Sequence, residues 1–116
     1  MVKAKRFIPD RGDIVWLDFN PQSGREQRGR RPALTVSFKE YNEKIGLGLF
    51  CPITSKIKGY PFEVEVVGKK IKGCVLSDQV KNLDWTVRNA EFIEKIGVGK
   101  LDEVISNIKV LVEKCG

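Results

Sequence analysis

The sequence predicts a mainly β chain closed by one C-terminal helix, in the form of a small curled sheet or barrel of the SH3-like kind. Three observations carry that expectation. Short stretches rich in Val, Ile, Leu, Phe and Trp recur between Gly, Pro and Asn turn signals, as in "GDIVWLDF", "LGLFCPIT" and "IKGCVLS". Some of them alternate apolar and polar residues with a period of two, most cleanly "FEVEVV". After residue 100 the apolar spacing changes to that of a helix.

Taken in order, "GDIVWLDF" (residues 12–19) sets Ile14, Trp16 and Asp18 on one side and Val15, Leu17 and Phe19 on the other, which is strand spacing. "NPQSGREQRGR" (20–30) is turn chemistry from end to end and reads as a loop. "PALTVS" (32–37) is a second strand, with Pro32 tolerated at its first position. "LGLFCPIT" (47–54) is a third, stopping at the basic loop "SKIKGYP". "FEVEVV" (62–67) turns at Gly68 and two lysines into "IKGCVLS" (71–77), a hairpin. "AEFIEKIG" (90–97) suits strand or helix, and its shortness and final glycine favour strand. From Lys100 onward Leu101, Val104, Ile105, Ile108, Leu111 and Val112 share one helical face, with Asp102 and Glu103 in the first turn.

With 116 residues and no linker, repeat or low-complexity tract, residues 1–116 read as a single domain. A content of 41% apolar and 31% charged residues excludes a disordered chain. A core this small often gains stability by pairing. No stretch approaches the roughly 18 apolar residues of a membrane helix. "MVKAKRFIPDRGD" lacks the apolar region of a signal peptide, so the expected location is cytoplasmic, with no membrane contact. Cys51, Cys74 and Cys115 are odd in number and have no close spacing, and the chain has no histidine. No metal site or cofactor is expected, and each cysteine reads as a small buried hydrophobe or a chance surface thiol.

The net charge of +6 is unevenly spread. The first 31 residues hold eight Lys/Arg against four Asp/Glu, and the rest hold thirteen against eleven. "GREQRGRRP" (24–32) alone carries four arginines. A localised basic surface suits a polyanion such as nucleic acid, or an acidic protein. The glycines of "GREQRG" are five apart as in a phosphate-binding loop. However, Arg30-Arg31 replace the Lys-Ser/Thr pair, and Pro32 opens a strand where that loop needs a helix, so nucleotide hydrolysis is excluded.

One reaction, RNA cleavage, needs neither metal nor water at its first step. RNA carries its own nucleophile, the 2′-hydroxyl beside the phosphate, so the protein need only hold the phosphate, stabilise charge on its oxygens and help protons move. Arginine matches phosphate oxygens with a planar fork and stays protonated, a hydroxyl can donate to the same oxygens, and a carboxylate can take the 2′-proton. Arg31 opens the second strand, Thr54 ends the third, and Glu26 lies in the loop between the first two. A solvated Arg31, a Thr54 that merely caps its strand and a Glu26 that only neutralises its neighbours stay open alternatives on spacing alone.

"GDIVWLDFNPQSGREQRGRRPALTVS", "CPITSKIKGYPFEV" and "GCVLSDQVKNLDW" closely resemble the MazF/PemK-type toxin endoribonucleases of bacterial toxin–antitoxin pairs. The likeness runs from about residue 9 to 85 and continues more weakly through the final helix. Its motifs are P-x-x-G-D-I-V-W, G-x-E-Q-x-G-x-R-P, P-I-T and D-Q-V-K. The resemblance implies an SH3-like barrel of the MazF, PemK and CcdB kind. It also implies a homodimer, an antitoxin partner, and metal-independent cleavage of single-stranded mRNA at a short sequence to 2′,3′-cyclic phosphate and 5′-hydroxyl ends. It places catalysis on Arg31, Thr54 and Glu26. RNA contacts fall on Phe19, Asn20, Gln22, Ser23, Arg25, Gln27, Arg28 and Arg30, then on Ser55, Lys56, Asp78, Gln79 and Lys81. Antitoxin contacts fall on Trp16, Arg25 and Arg28. Members with histidine before the arginine differ from this chain, where Arg30 removes any proton transfer by that histidine and offers phosphate affinity instead. A non-catalytic binding module and a gyrase-poisoning toxin on the same scaffold are the competing readings. A binding module has no need of converging Arg and Thr at strand ends.

Overall fold

A computed structural model describes residues 6–19 and 29–113 of the chain. Both faces of the first strand, β1 (Asp13–Asp18), are buried. Ile14 and Trp16 join one apolar cluster, and Val15 and Leu17 join another. The strand is therefore packed on both sides. It is followed by β2 (Arg30–Thr35), α1 (Lys39–Ile45), β3 (Gly48–Thr54), β4 (Glu63–Val67), β5 (Lys72–Leu76), β6 (Lys81–Leu83), a 3₁₀ turn (Trp85–Val87), β7 (Glu91–Lys95) and α2 (Val98–Val112). Every pairing among the described strands is antiparallel, in the order β4-β5-β3-β2-β1-β7, with β6 also on β3. The mainly β architecture with a C-terminal helix is as expected, and no helix among the described residues is long and apolar enough to cross a membrane.

Two prolines divide this sheet. The Val36 N–H donates to Leu49 O, so in the β2–β3 register every second residue of β2 bonds to β3. The next bonded pair beyond Leu34–Cys51 would be Pro32 with Ile53, and proline has no N–H for it. The β2–β3 ladder accordingly ends at Ala33–Pro52, and the strands part there. Pro32 is thus the third residue of β2 and not its first; β2 begins at Arg30 because it stays paired with β1. Pro52 marks a second break: before it β3 pairs with β6 at Gly48–Phe50, and after it with β5 at Ile53–Thr54.

The first cluster gathers Leu34, Cys51, Ile53, Val64, Val66 and Val75 with Leu101, Val104, Ile105 and Ile108 of α2. Burying a full side chain of this type stabilises by about 1.5–3 kcal/mol. α2 starts at Val98 directly after an extended Gly97, two residues earlier than the spacing suggested. Asp102 and Glu103 consequently fall past the first turn, and Leu111 and Val112 are exposed, not part of the buried face. The second cluster joins Val15, Leu17, Ala33, Phe50 and Trp85 with Phe7 and Ile8. Cys51 and Cys74 are buried and unpaired, as read from their isolation in sequence; Cys115 lies outside the described residues. Burial, with Asp78 nearby, pushes the Cys51 thiol up to about 12, so it remains protonated and unreactive.

α1 and β6 have no counterpart in the sequence reading. α1 lacks an apolar stripe because its buried residue is Asn42. The Asn42 side-chain amide donates to Pro9 O (2.7 Å) and Ser37 O (3.1 Å), and the Asn42 main-chain carbonyl accepts from the Trp85 indole (3.1 Å). A polar hub replaces hydrophobic periodicity there.

The curl of the sheet is held by a carboxylate. Glu94 on β7 accepts from the main-chain N–H groups of Lys69 (3.0 Å), Lys70 (2.9 Å) and Ile71 (2.9 Å), in the turn joining β4 to β5. The two ends of the strand order are thereby tied together. Gly68 allows the approach, since a β-carbon there would lie 2.3 Å from Glu94 Oε2. The Lys70 N–H above all, then those of Ile71 and Lys69, hold the Glu94 carboxyl below its ordinary value of 4.5. A lowered carboxyl stabilises the fold above its unfolded pKa, and that contribution is lost as pH falls through the folded value. Glu94→Gln therefore lowers the melting temperature at neutral pH, and its gap to wild type closes as pH drops below about 4.5. A gap independent of pH in thermal melts refutes the clasp.

Candidate active site

Where β2 and β3 part, a cleft of about 370 Å³ opens, lined by Arg30, Arg31, Pro32, Ile53, Thr54, Ser55 and Lys56, with Ile71 and Lys72 at its far side. The register explains why two of these meet. Continuing the pairing of Ala33 with Pro52 by two residues sets Arg31 directly across from Thr54. Both alternate with residues of the second cluster, Arg31 with Ala33 and Thr54 with Phe50, so both stand on the same face. Direct neighbours in a ladder have β-carbons about 5 Å apart; here the ladder has ended, and space for a ligand replaces the missing bonds.

Arg31 is exposed, and its guanidinium carbon stands 5.9 Å from the Phe19 ring centroid, within cation–π range. That contact orients the charged end of the side chain without consuming its N–H donors. Thr54 ends β3 with its Oγ1 accepting the Lys56 N–H at 3.1 Å, which fixes the oxygen and leaves its own hydrogen to donate elsewhere. The following loop is shaped by Glu63, whose carboxylate accepts from Lys58 N (3.0 Å) and Gly59 N (2.7 Å). Gly73 brings β5 against this site: a β-carbon there would lie 2.5 Å from the Thr54 carbonyl oxygen. Arg31, Lys56 and Lys72 leave the cleft rim cationic, suited to an oxyanion.

The expected site residues divide into four groups. Arg30, Arg31, Thr54, Ser55 and Lys56 line one cleft, and Phe19 touches Arg31 beside it. Asp78, Gln79 and Lys81 are exposed but lie outside that lining; Asp78 accepts from the Tyr60 hydroxyl at 2.8 Å. Trp16 is half-buried against the first cluster, across from Pro32. Asn20, Gln22, Ser23, Arg25, Glu26, Gln27 and Arg28 lie outside the described residues. Within the lining, Arg30 departs from its expected part: its guanidinium is engaged by Asp18 (3.1 Å) and Glu91 (2.9 Å). Sequence reasoning missed Arg88, Asn89 and Glu91, which gather at the end of β1, and Lys72. An Arg-Asn pair after a short turn was the only local signal, and it named no partner.

A curled antiparallel sheet whose parted strands hold a cationic cleft defines a small β protein with a site suited to an oxyanion. Residues 10–112 match the family described as PemK-like, MazF-like toxin of type II toxin–antitoxin system. The chain is 42% identical over 109 residues to the endoribonuclease toxin MazF of Escherichia coli, covering 94% of this chain and 98% of the relative. It superposes with a TM-score of 0.83 on crystalline MazF of Deinococcus radiodurans, at 44% identity and covering 92% and 98% of the two chains. The MazF chain in a MazE–MazF crystal of the same organism gives 0.82 at 40% identity, covering 92% and 97%. The chain belongs to the PemK/MazF toxin family.

Proposed function

We propose that this endoribonuclease toxin of the MazF/PemK type cuts single-stranded RNA, sequence-specifically and without a metal, at the Arg31–Thr54 cleft. The 2′-oxygen attacks the adjacent phosphorus as its proton passes to a base. The bond from phosphorus to the 5′-oxygen breaks, and that oxygen takes up a proton. The products are a 2′,3′-cyclic phosphate and a 5′-hydroxyl. Arg31 and the Thr54 hydroxyl donate to the phosphate oxygens as charge builds on them. Glu26 is assigned the 2′-proton, and Ser55 and Lys56 hold the flanking backbone. Phe19 offers a ring face to an unstacked base, and Asp78, Gln79 and Lys81 present polar groups to base edges. A MazE-like antitoxin is the proposed inhibitor, reaching the same basic surface through Trp16, Arg25 and Arg28, and the working form is a homodimer.

The observation that carries this reading is the cleft that Arg31 and Thr54 line together, just beyond Ala33–Pro52 where the pairing of their strands ends. Incubation with a long defined RNA in excess chelator, followed by mapping of cut ends, tests it. Cuts at one short sequence with 5′-hydroxyl ends are expected; 5′-phosphate ends, or no cleavage until a divalent ion is added, would overturn it. Affinity for single-stranded RNA falls with salt by a log–log slope of about −0.7 for each phosphate contacted. A flat salt response in a binding titration removes the basic cleft from RNA recognition.

A further inference from the structure

By its place before Arg31, Arg30 reads from the sequence as an RNA ligand, but the structure gives its guanidinium other partners. One terminal nitrogen donates to Asp18 Oδ1 (3.1 Å) and to Asn89 O (2.9 Å), and the other to Glu91 Oε1 (2.9 Å). Three chain segments meet on this one planar group: the end of β1, the start of β2 and the start of β7. Only a fork with several fixed donors spans such diverging acceptors; an ammonium offers a single point of charge. The Arg30 side chain is 22% exposed and that of Asp18 24%, so this pair is largely shielded from water. Asp18 is braced further by the Asn89 amide at 2.7 Å, and Arg88 donates to the main-chain oxygens of Asp18 and Phe19, each at 3.0 Å. Turning Arg30 toward a phosphate would strip a half-buried carboxylate of its cation.

We infer that Arg30 is a positioning residue: through Asp18, Asn89 and Glu91 it fixes the backbone from which Arg31 projects into the cleft, and it does not itself hold RNA. The inference rests on the reading of the cleft given above. Its partners at residues 88–91 lie outside the motifs that mark the active-site segments. The clamp sits one residue from the proposed oxyanion donor, where a displacement of about 1 Å costs on the order of 10²-fold in rate.

Arg30→Lys and Arg30→Met test this beside wild type and Arg31→Ala. For each, kcat is measured on saturating single-stranded RNA. The salt dependence of binding is measured with an oligonucleotide carrying 2′-deoxyribose at the cut site. The expected result is that both Arg30 variants lose kcat alike, by about 10- to 100-fold, and keep the wild-type salt slope. A charge that merely contacted phosphate would be restored by lysine, and its loss in Arg30→Met would reduce the slope by about 0.7. Wild-type kcat in Arg30→Lys, or that reduced slope in Arg30→Met, overturns the clamp. Should wild type fail to cleave at all, the catalytic reading falls, while the salt slopes still decide whether Arg30 faces a phosphate.

Discussion

Replacing Arg31 by alanine lowers the rate of RNA cleavage by about 10²- to 10³-fold and leaves the melting temperature close to wild type. The rate effect follows from removing one preorganised donor aimed at developing negative charge. The fold survives because Arg31 is exposed and among the described residues forms no ion pair; its contact is with the Phe19 ring. Most of the loss falls on kcat, since a donor to the charged transition state does less for the ground state. Arg31→Lys recovers little, because an ammonium cannot reproduce the two-pronged match to phosphate oxygens. A wild-type kcat in a folded Arg31→Ala protein would falsify the assignment.

The second large effect comes from a glycine, which has no side chain to offer RNA. Gly73→Ala places a methyl group 2.5 Å from the Thr54 carbonyl oxygen and 3.2 Å from Ile53 Cγ2. Neither neighbour is the free end of a flexible side chain, so β3 and β5 must move apart. Overpacking of this kind destabilises by about 1–3 kcal/mol. Because Thr54 is the residue displaced, cleavage also falls by about 10²-fold under conditions where the variant is folded. Circular dichroism melts and single-turnover cleavage separate the two losses. Lower stability with undiminished turnover would show that β5 does not set the position of the Thr54 hydroxyl.

Strand types were legible where the chain alternates between apolar and polar residues or runs apolar between turn residues. β1, β3, β4 and β5 fall inside the expected stretches, and β7 resolves the ambiguity of residues 90–97 toward strand. α1 was not legible, because its inward-facing residue is Asn42 and no apolar period announces it. β6 was hidden for a different reason. A three-residue strand has no period of its own, and it exists only because β3 offers it an edge before Pro52.

The chemistry of the site divides in the same way. A clustered positive charge, a threonine closing a strand and the absence of histidine are properties of the chain; they suit a polyanionic partner and remove histidine-based hydrolysis before any folding is considered. Whether Arg31 faces Thr54 depends on register, and Pro32 decides where that register stops, by a hydrogen bond it cannot make. The fate of Arg30 was decided further away still: its partners Asn89 and Glu91 lie 59 and 61 residues along the chain. Residue type and spacing are local and survive in a linear string. Which of two adjacent arginines meets the ligand and which braces the strand depends on acceptors that only the closing of the sheet brings within reach.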